Sequence, residues 1–175
     1  MRRLAGLVLV AAVLTGCGSG GDDVSGEEST RELETQREDV RQAAADLVRG
    51  AVEALDGTAS HTRGGFDGCE SAFPDEFRSY QYNASGRVDV GPGAARPFLD
   101  ALGPVLTAAG FEEPVLRERP GGQSLVAEKG QIVAGFSEFP EQGDYVLVNL
   151  RGPCVEVPKD DRDKWLNRRD PSPYL

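Results

Sequence analysis

Few residues of this 175-residue chain could do chemistry. A nucleophilic triad needs a base. The one histidine, His61, sits in a polar, Gly-bearing stretch beside Thr62 and Arg63, and no Gly-x-Ser-x-Gly elbow occurs anywhere. His61 therefore reads as an exposed loop residue. Once Cys17 is assigned to lipid, as argued below, two cysteines and one histidine are too few for a zinc site. Carboxylates are more numerous, and Asp67, Glu70, Asp75 and Glu76 crowd around Cys69. Such a group could supply the acid and base of a glycosidase or oxygen ligands for calcium. No EF-hand spacing is present, however, and an acidic loop is more often solvated. Asp160, Asp161 and Asp163 are interleaved with Lys159, Arg162 and Lys164, which neutralises them as a cation site. Gly91-Pro92-Gly93 lacks the further Gly and the Lys of a phosphate loop. No catalytic set, metal or cofactor emerges.

The remaining chemistry is in the cysteines. Arg2 and Arg3 precede an apolar run of eleven residues, Leu4 to Leu14, too short to span a bilayer as a helix and suited to a signal sequence. Adjacent arginines also occur in twin-arginine signals, but here they read as ordinary basic charge beside the initiator. Leu14-Thr15-Gly16-Cys17 resembles a bacterial lipobox. The resemblance implies cleavage before Cys17, so that residues 1–16 are a signal peptide. It also implies a diacylglyceryl group on the Cys17 sulfur, and so a palmitate-type lipid anchor at the extracytoplasmic face of the cell membrane. Two chains with about 0.8 kcal/mol per buried methylene suffice for stable attachment.

In that oxidising compartment the other two cysteines, Cys69 and Cys154, are expected to form a disulfide. Loss of Arg2 and Arg3 takes the formal charge from −10 to −12. That balance argues against nucleic acid and against a polybasic membrane contact. The 159 residues from Cys17 to Leu175 suit one domain with a real core.

The elements follow from pattern. Residues 17–29 read as a flexible tether, and its Gly/Ser/acid stretch from Gly18 to Glu28 spans roughly 18 Å. Ser29-x-x-Glu32 is a capping box, and Val40, Ala44, Leu47, Val48, Ala51, Val52 and Leu55 make one apolar helical stripe ending at Asp56-Gly57. Only Leu33 keeps the stripe before Val40. The first turns are therefore expected in solvent, with Glu34–Arg37 and Glu38–Arg41 pairs. Thr58 to Gly68 reads as a loop. Phe77 to Val90 reads as a long strand, bulged near Ser85-Gly86. Ala95 to Ala109 is a second helix that Gly103-Pro104 should kink or cut. Four strands follow: Glu113–Glu118, Ser124–Glu128, Gln131–Phe139 and Tyr145–Arg151. A single domain over residues 30–157 and a loose charged tail over 158–175 complete the chain.

This order is α+β: an antiparallel sheet of about five strands with two helices on one face. Strand parity brings the start of the first strand and the end of the fifth to the same end of the sheet, where Cys69 and Cys154 sit. The disulfide then makes those strands neighbours and the order 2-3-4-5-1. Tyr80 and Tyr82 share one face of the first strand, as a groove lining or as core. Trp165 either folds back onto the sheet or offers an anchor to a partner.

On the lipobox, the passage from Leu102-Gly103 to Gly110-Phe111 into the late strands, and Gly152-Pro153-Cys154, the chain resembles a set of small actinobacterial lipoproteins, the mycobacterial LppA-like proteins among them. The resemblance implies a location and a general shape and transfers no activity to particular residues. The expectation is a non-enzymatic module that binds an envelope protein or a lipid, with Tyr80, Tyr82 and Trp165 as candidate contacts. The rival is an enzyme acting on an envelope glycan through Glu70, Asp75 or Glu76.

Overall fold

The structure, a computed structural model, describes residues 25–69, 77–166 and 168–175. Cys17, Glu70, Asp75 and Glu76 lie outside the described residues. The elements are α1 (Gly26–Ala54), β1 (Thr58–Gly68), β2 (Ser79–Asp89), a short 3-10 helix (Phe98–Ala101), α2 (Gly103–Ala108), β3 (Val115–Arg119), β4 (Gly122–Lys129), β5 (Ile132–Glu138), β6 (Tyr145–Arg151), β7 (Val155–Glu156) and a second 3-10 helix (Lys159–Lys164). Seven strands form one antiparallel sheet in the order β1-β2-β6-β5-β4-β3, with β7 beside β2. The five expected strands stand in the expected order 2-3-4-5-1. The sheet has two strands more than expected: β1 widens it by one at the edge, and β7 continues the line of β6 along β2.

β1 replaces the expected loop. Its sequence, Thr-Ala-Ser-His-Thr-Arg-Gly-Gly-Phe-Asp-Gly, has little β-propensity, so tertiary contacts decide it. A Cβ on Gly64 would coincide with the Tyr82 phenol, so the absent side chain is what lets β2 fill that space. The bulge expected in β2 near Ser85-Gly86 lies instead on the facing strand, where the register shifts between Ser60 and Arg63. His61 is the extra residue, exposed and left-handed at φ 55°.

α1 starts one turn earlier than expected. Ser25, not Ser29, is the cap, and its hydroxyl accepts from the Glu28 amide at 3.1 Å. Ser29 and Leu33 are fully buried, so the first turns pack rather than project. Arg37 does pair with Glu34, at 3.3 Å, but Arg41 bonds Asp170 instead of Glu38. The helix stops as expected: Asp56 takes the left-handed turn at φ 46°, and the Gly57 amide donates to the Val52 carbonyl at 2.9 Å. The second helix is cut at Gly103-Pro104, as its sequence requires. Both helices cover one face of the sheet. At Gly50 a Cβ would lie 2.6 Å from Val105 Cγ1, so the glycine lets α2 approach α1. Leu47, Leu102, Tyr82, Phe136 and Val148 belong to one continuous core.

The β6–β7 join is held by a side chain from α1. Gly152-Pro153 interrupts the ladder on β2, because proline has no N–H to give. Gln36 fills the gap: its Oε1 accepts from the Tyr82 amide, and its Nε2 donates to the Pro153 carbonyl at 2.8 Å. Gln36→Leu keeps the size and leaves both backbone groups unpaired. It is expected to cost about 2–3 kcal/mol. A urea-melt midpoint unchanged from wild type would refute this role.

The disulfide forms as expected. Cys69 and Cys154 are joined with their Cα atoms 6.2 Å apart, linking the end of β1 to the β6–β7 join. The tail is not loose. The Arg168 carbonyl accepts from the Phe66 amide at 2.8 Å, and the Asp170 amide donates to the Gly64 carbonyl at 3.0 Å, so residues 168–170 cover the outer edge of β1. Charge composition suggested solvation, but Trp165 and Asp170 both find partners in the fold.

Candidate functional site

The expected aromatic contacts are core residues. Tyr80, Tyr82 and Trp165 are buried to 1%, 0% and 1% exposure. Phe66 stands edge-on between two of them, its centroid 5.1 Å from Tyr82 and 4.7 Å from Trp165. No partner can touch these rings without opening the core. Trp165 therefore resolves toward packing, and the contact role assigned to all three is corrected by their burial.

The described carboxylates do not converge. Asp67 is tied to Arg169 at 2.9 Å and to Asn83 at 2.8 Å. Glu138 is buried at the far end of β5, where it accepts from the Phe98 amide at 2.8 Å and pairs with Arg96 at 2.6 Å. Asp170 is buried beyond β1, between Arg37 Nε at 2.8 Å, Arg41 and the Tyr82 hydroxyl. Glu138 and Asp170 are four strand spacings apart, roughly 19 Å across the sheet alone. Burial alone would raise the Asp170 carboxyl, but the hydrogen bonds from Tyr82, Arg41 and Arg37 outweigh it and hold it below the ordinary carboxylate range. Burial, reinforced by Asp170, pushes the Tyr82 phenol up. These are neutralised structural ions, not an acid and base poised at a cleft. Among the described residues no cluster of three His, Cys, Asp or Glu is placed to hold a metal.

What remains is a surface. The helices cover only one face of the sheet, on which Tyr82, Ala84, Val88, Phe136, Val146 and Val148 are buried. The alternate residues make the opposite, open face, and the register gives its rows. One row across the strands reads Arg87, Leu147, Ser137, Ser124, Arg117. The next reads Arg63, Ser85, Asn149, Gly135, Val126, Val115. Small residues floor its middle, and the Ser124 and Ser137 hydroxyls bond one another at 2.7 Å. Arginines bound both sides. Among the described residues six lie on this face, Arg63, Arg87, Arg117, Arg119, Arg151 and Arg169, and the carboxylates there are Asp67, Asp89, Glu128 and Glu156. Arg87 and Arg169 are paired with Asp89 and Asp67, whereas Arg63, Arg117, Arg119 and Arg151 are exposed with no ion partner among the described residues. Composition could not reveal this concentration, because the strand register creates it.

A separate groove of about 520 Å³ runs between the first turns of α1 and the β4–β5 turn. Glu28, Arg31, Glu32, Asp39 and Lys129 line it with both signs of charge. Among the described residues no helix is long and apolar enough to cross a membrane.

No protein-family model matches the chain, and no curated protein matches it. Among solved structures it is similar to the crystal structure of LppA from Mycobacterium tuberculosis, a protein assigned as a lipoprotein. The identity is 10% and the TM-score 0.45, over 71% of this chain and 78% of that one.

Proposed function

We propose that this chain is a lipid-anchored interaction module of the extracytoplasmic membrane surface, which binds through the open face of its sheet and performs no reaction of its own. The observation that carries the reading is that face: uncovered by the helices, half polar, and edged with arginines of which Arg63, Arg117, Arg119 and Arg151 have no ion partner among the described residues. The sequence supplies the location. Cys17 lies nine positions before Gly26, where α1 begins. A tether of that length reaches at most about 30 Å, so the first turn of α1 stays near the bilayer. The polar groove places the β4–β5 turn at that same end of the domain. The strands then run away from the membrane, and the open face looks sideways, clear of lipid.

Cys17→Ala is expected to leave an unprocessed precursor that no longer partitions into detergent. A variant that is still cleaved and still detergent-soluble would remove the anchor from this reading. For the binding role, native mass spectrometry of the protein taken from its own envelope should show a retained ligand or a co-purified partner. Turnover of a cell-wall glycan that disappears in Glu70→Gln or Glu76→Gln would replace the module with an enzyme.

A further inference from the structure

We infer that the ligand of the open face is an anionic glycan, a linear sugar polymer bearing carboxylate or phosphate groups, lying across the strands. The inference rests on the binding reading above and names the class of partner.

Charge is the first argument. The chain as a whole is strongly acidic, at −10. Among the described residues the open face nevertheless carries six arginines against four carboxylates. Screening confines such charges to roughly 8 Å in physiological salt, so at contact the arginine face decides the sign, not the acidic remainder behind the sheet. Arginine is also the side chain that grips carboxylate or phosphate with two parallel hydrogen bonds.

Geometry is the second. Arg87 and Arg117 close the ends of one row, four strand spacings or roughly 19 Å apart. Arg63 and Arg151 lie in the two rows beside it. Between Arg87 and Arg117 that row holds the half-buried Leu147 and then Ser137 and Ser124, which are buried and bonded to one another, and the next row adds Ser85, the exposed Asn149 and Gly135. An extended polymer can lie over this floor and meet Asn149, with a guanidinium at each end and along one side.

The third argument separates a glycan from a protein. Protein interfaces concentrate their energy in aromatic anchors that enter pockets. Here Tyr80, Tyr82 and Trp165 are spent on the core. Of the aromatics on this face, Tyr145 lies under Arg87 at 4.0 Å, and Phe139 is set against the backbone at Gly122. Beside the apolar Leu147, Val126, Val133 and Val115, none of them aromatic, the face offers planar, hydrogen-bonding groups: Gln81, Asn83, Asn149 and the guanidiniums that have no ion partner among the described residues.

The test uses the full lipidated protein in nanodiscs of phosphatidylcholine, titrated with polygalacturonate. Neutral dextran and poly-L-glutamate serve as comparisons. Polygalacturonate is expected to bind, more weakly as sodium chloride rises, and dextran is not. The triple variant Arg63→Gln, Arg117→Gln, Arg151→Gln should bind at least about tenfold more weakly with an unchanged melting temperature, because these side chains are exposed and have no ion partner among the described residues. The matched variant Arg31→Gln, Arg49→Gln, Lys159→Gln removes three charges elsewhere and should bind as wild type. Equal loss in both variants would show attraction without a site and overturn the inference. Binding of poly-L-glutamate in place of polygalacturonate would assign the face to an acidic protein and also overturn it. Binding of neither polyanion overturns the glycan but leaves the interaction module standing, since that reading fails only on the retained-ligand and turnover experiments above.

Discussion

Removing the Cys69–Cys154 bond, by paired substitution to alanine or by reduction, is expected to produce the largest loss of stability of any local change. The closed loop spans 85 positions. Constraining that length of unfolded chain is worth roughly 4–5 kcal/mol in the loop-entropy account. At about 2–4 °C per kcal/mol for a domain of this size, the melting temperature should fall by about 8–20 °C. The position of the bond adds to the effect. Cys69 continues the β1–β2 ladder, its amide donating to the Ser79 carbonyl at 3.0 Å, and Cys154 stands where β6 gives way to β7. Reduction therefore loosens the margin where β1, β2 and β7 meet, while β3 to β6 keep their pairing. Hydrogen exchange in the reduced protein should show the first gain at Phe66, Gly68 and Tyr80 and the last at Phe136 and Val148. A reduced protein melting within a few degrees of the oxidised one would contradict this account.

Asp170→Asn is expected to give the second largest effect, and one with a pH signature. The carboxylate is the common acceptor for Arg37, Arg41 and Tyr82. Neutralising it leaves Arg41 without its carboxylate, leaves Arg37 with Glu34 and Glu38 alone, and frees the tail from α1. Because both arginines keep a fifth to a quarter of their side chains in water, the cost is set at about 2–3 kcal/mol, below that of a fully buried pair. The Asp170 carboxyl is held below its ordinary value by these partners. Its contribution is therefore fully present above the unfolded value of about 3.9 and is lost as pH falls through the lower folded value. Wild type and Asp170→Asn should differ at pH 7 and converge toward pH 3 in urea melts. A gap that stays constant across that range would mean the carboxylate acts by shape alone. Tyr82 and Tyr174, both raised by burial, set the opposite limb: stability falls only above about pH 10, where the unfolded phenols ionise.

The sequence by itself determined what depends on local pattern and on counting. The stripe from Val40 to Leu55 specified a helix and its buried face, because a period of three to four residues has one structural solution. Gly103-Pro104 specified a break. The β3–β6 segments were legible from tight turns at Pro120-Gly121, Lys129-Gly130 and Pro140 to Gly143. Two cysteines and strand parity together specified which strands are neighbours. Only the tertiary structure decided the rest. β1 is a strand because β2, the Tyr82 ring and residues 168–170 surround it, not because Thr58 to Gly68 prefers extended backbone. Gln36 reads as a polar break in an apolar stripe until Pro153, 117 positions away, presents its carbonyl. Trp165 stays undecided between sheet and partner, and Asp170 reads as part of a loose tail, because nothing local says that Phe66, Arg37 and Arg41 will meet them. The candidate site belongs wholly to this second class. Arg63, Arg87, Arg117 and Arg151 sit on four different strands, each unremarkable in its own segment. Period-two alternation puts each on one side of its strand, and only the pairing register decides that all four sides are the same one.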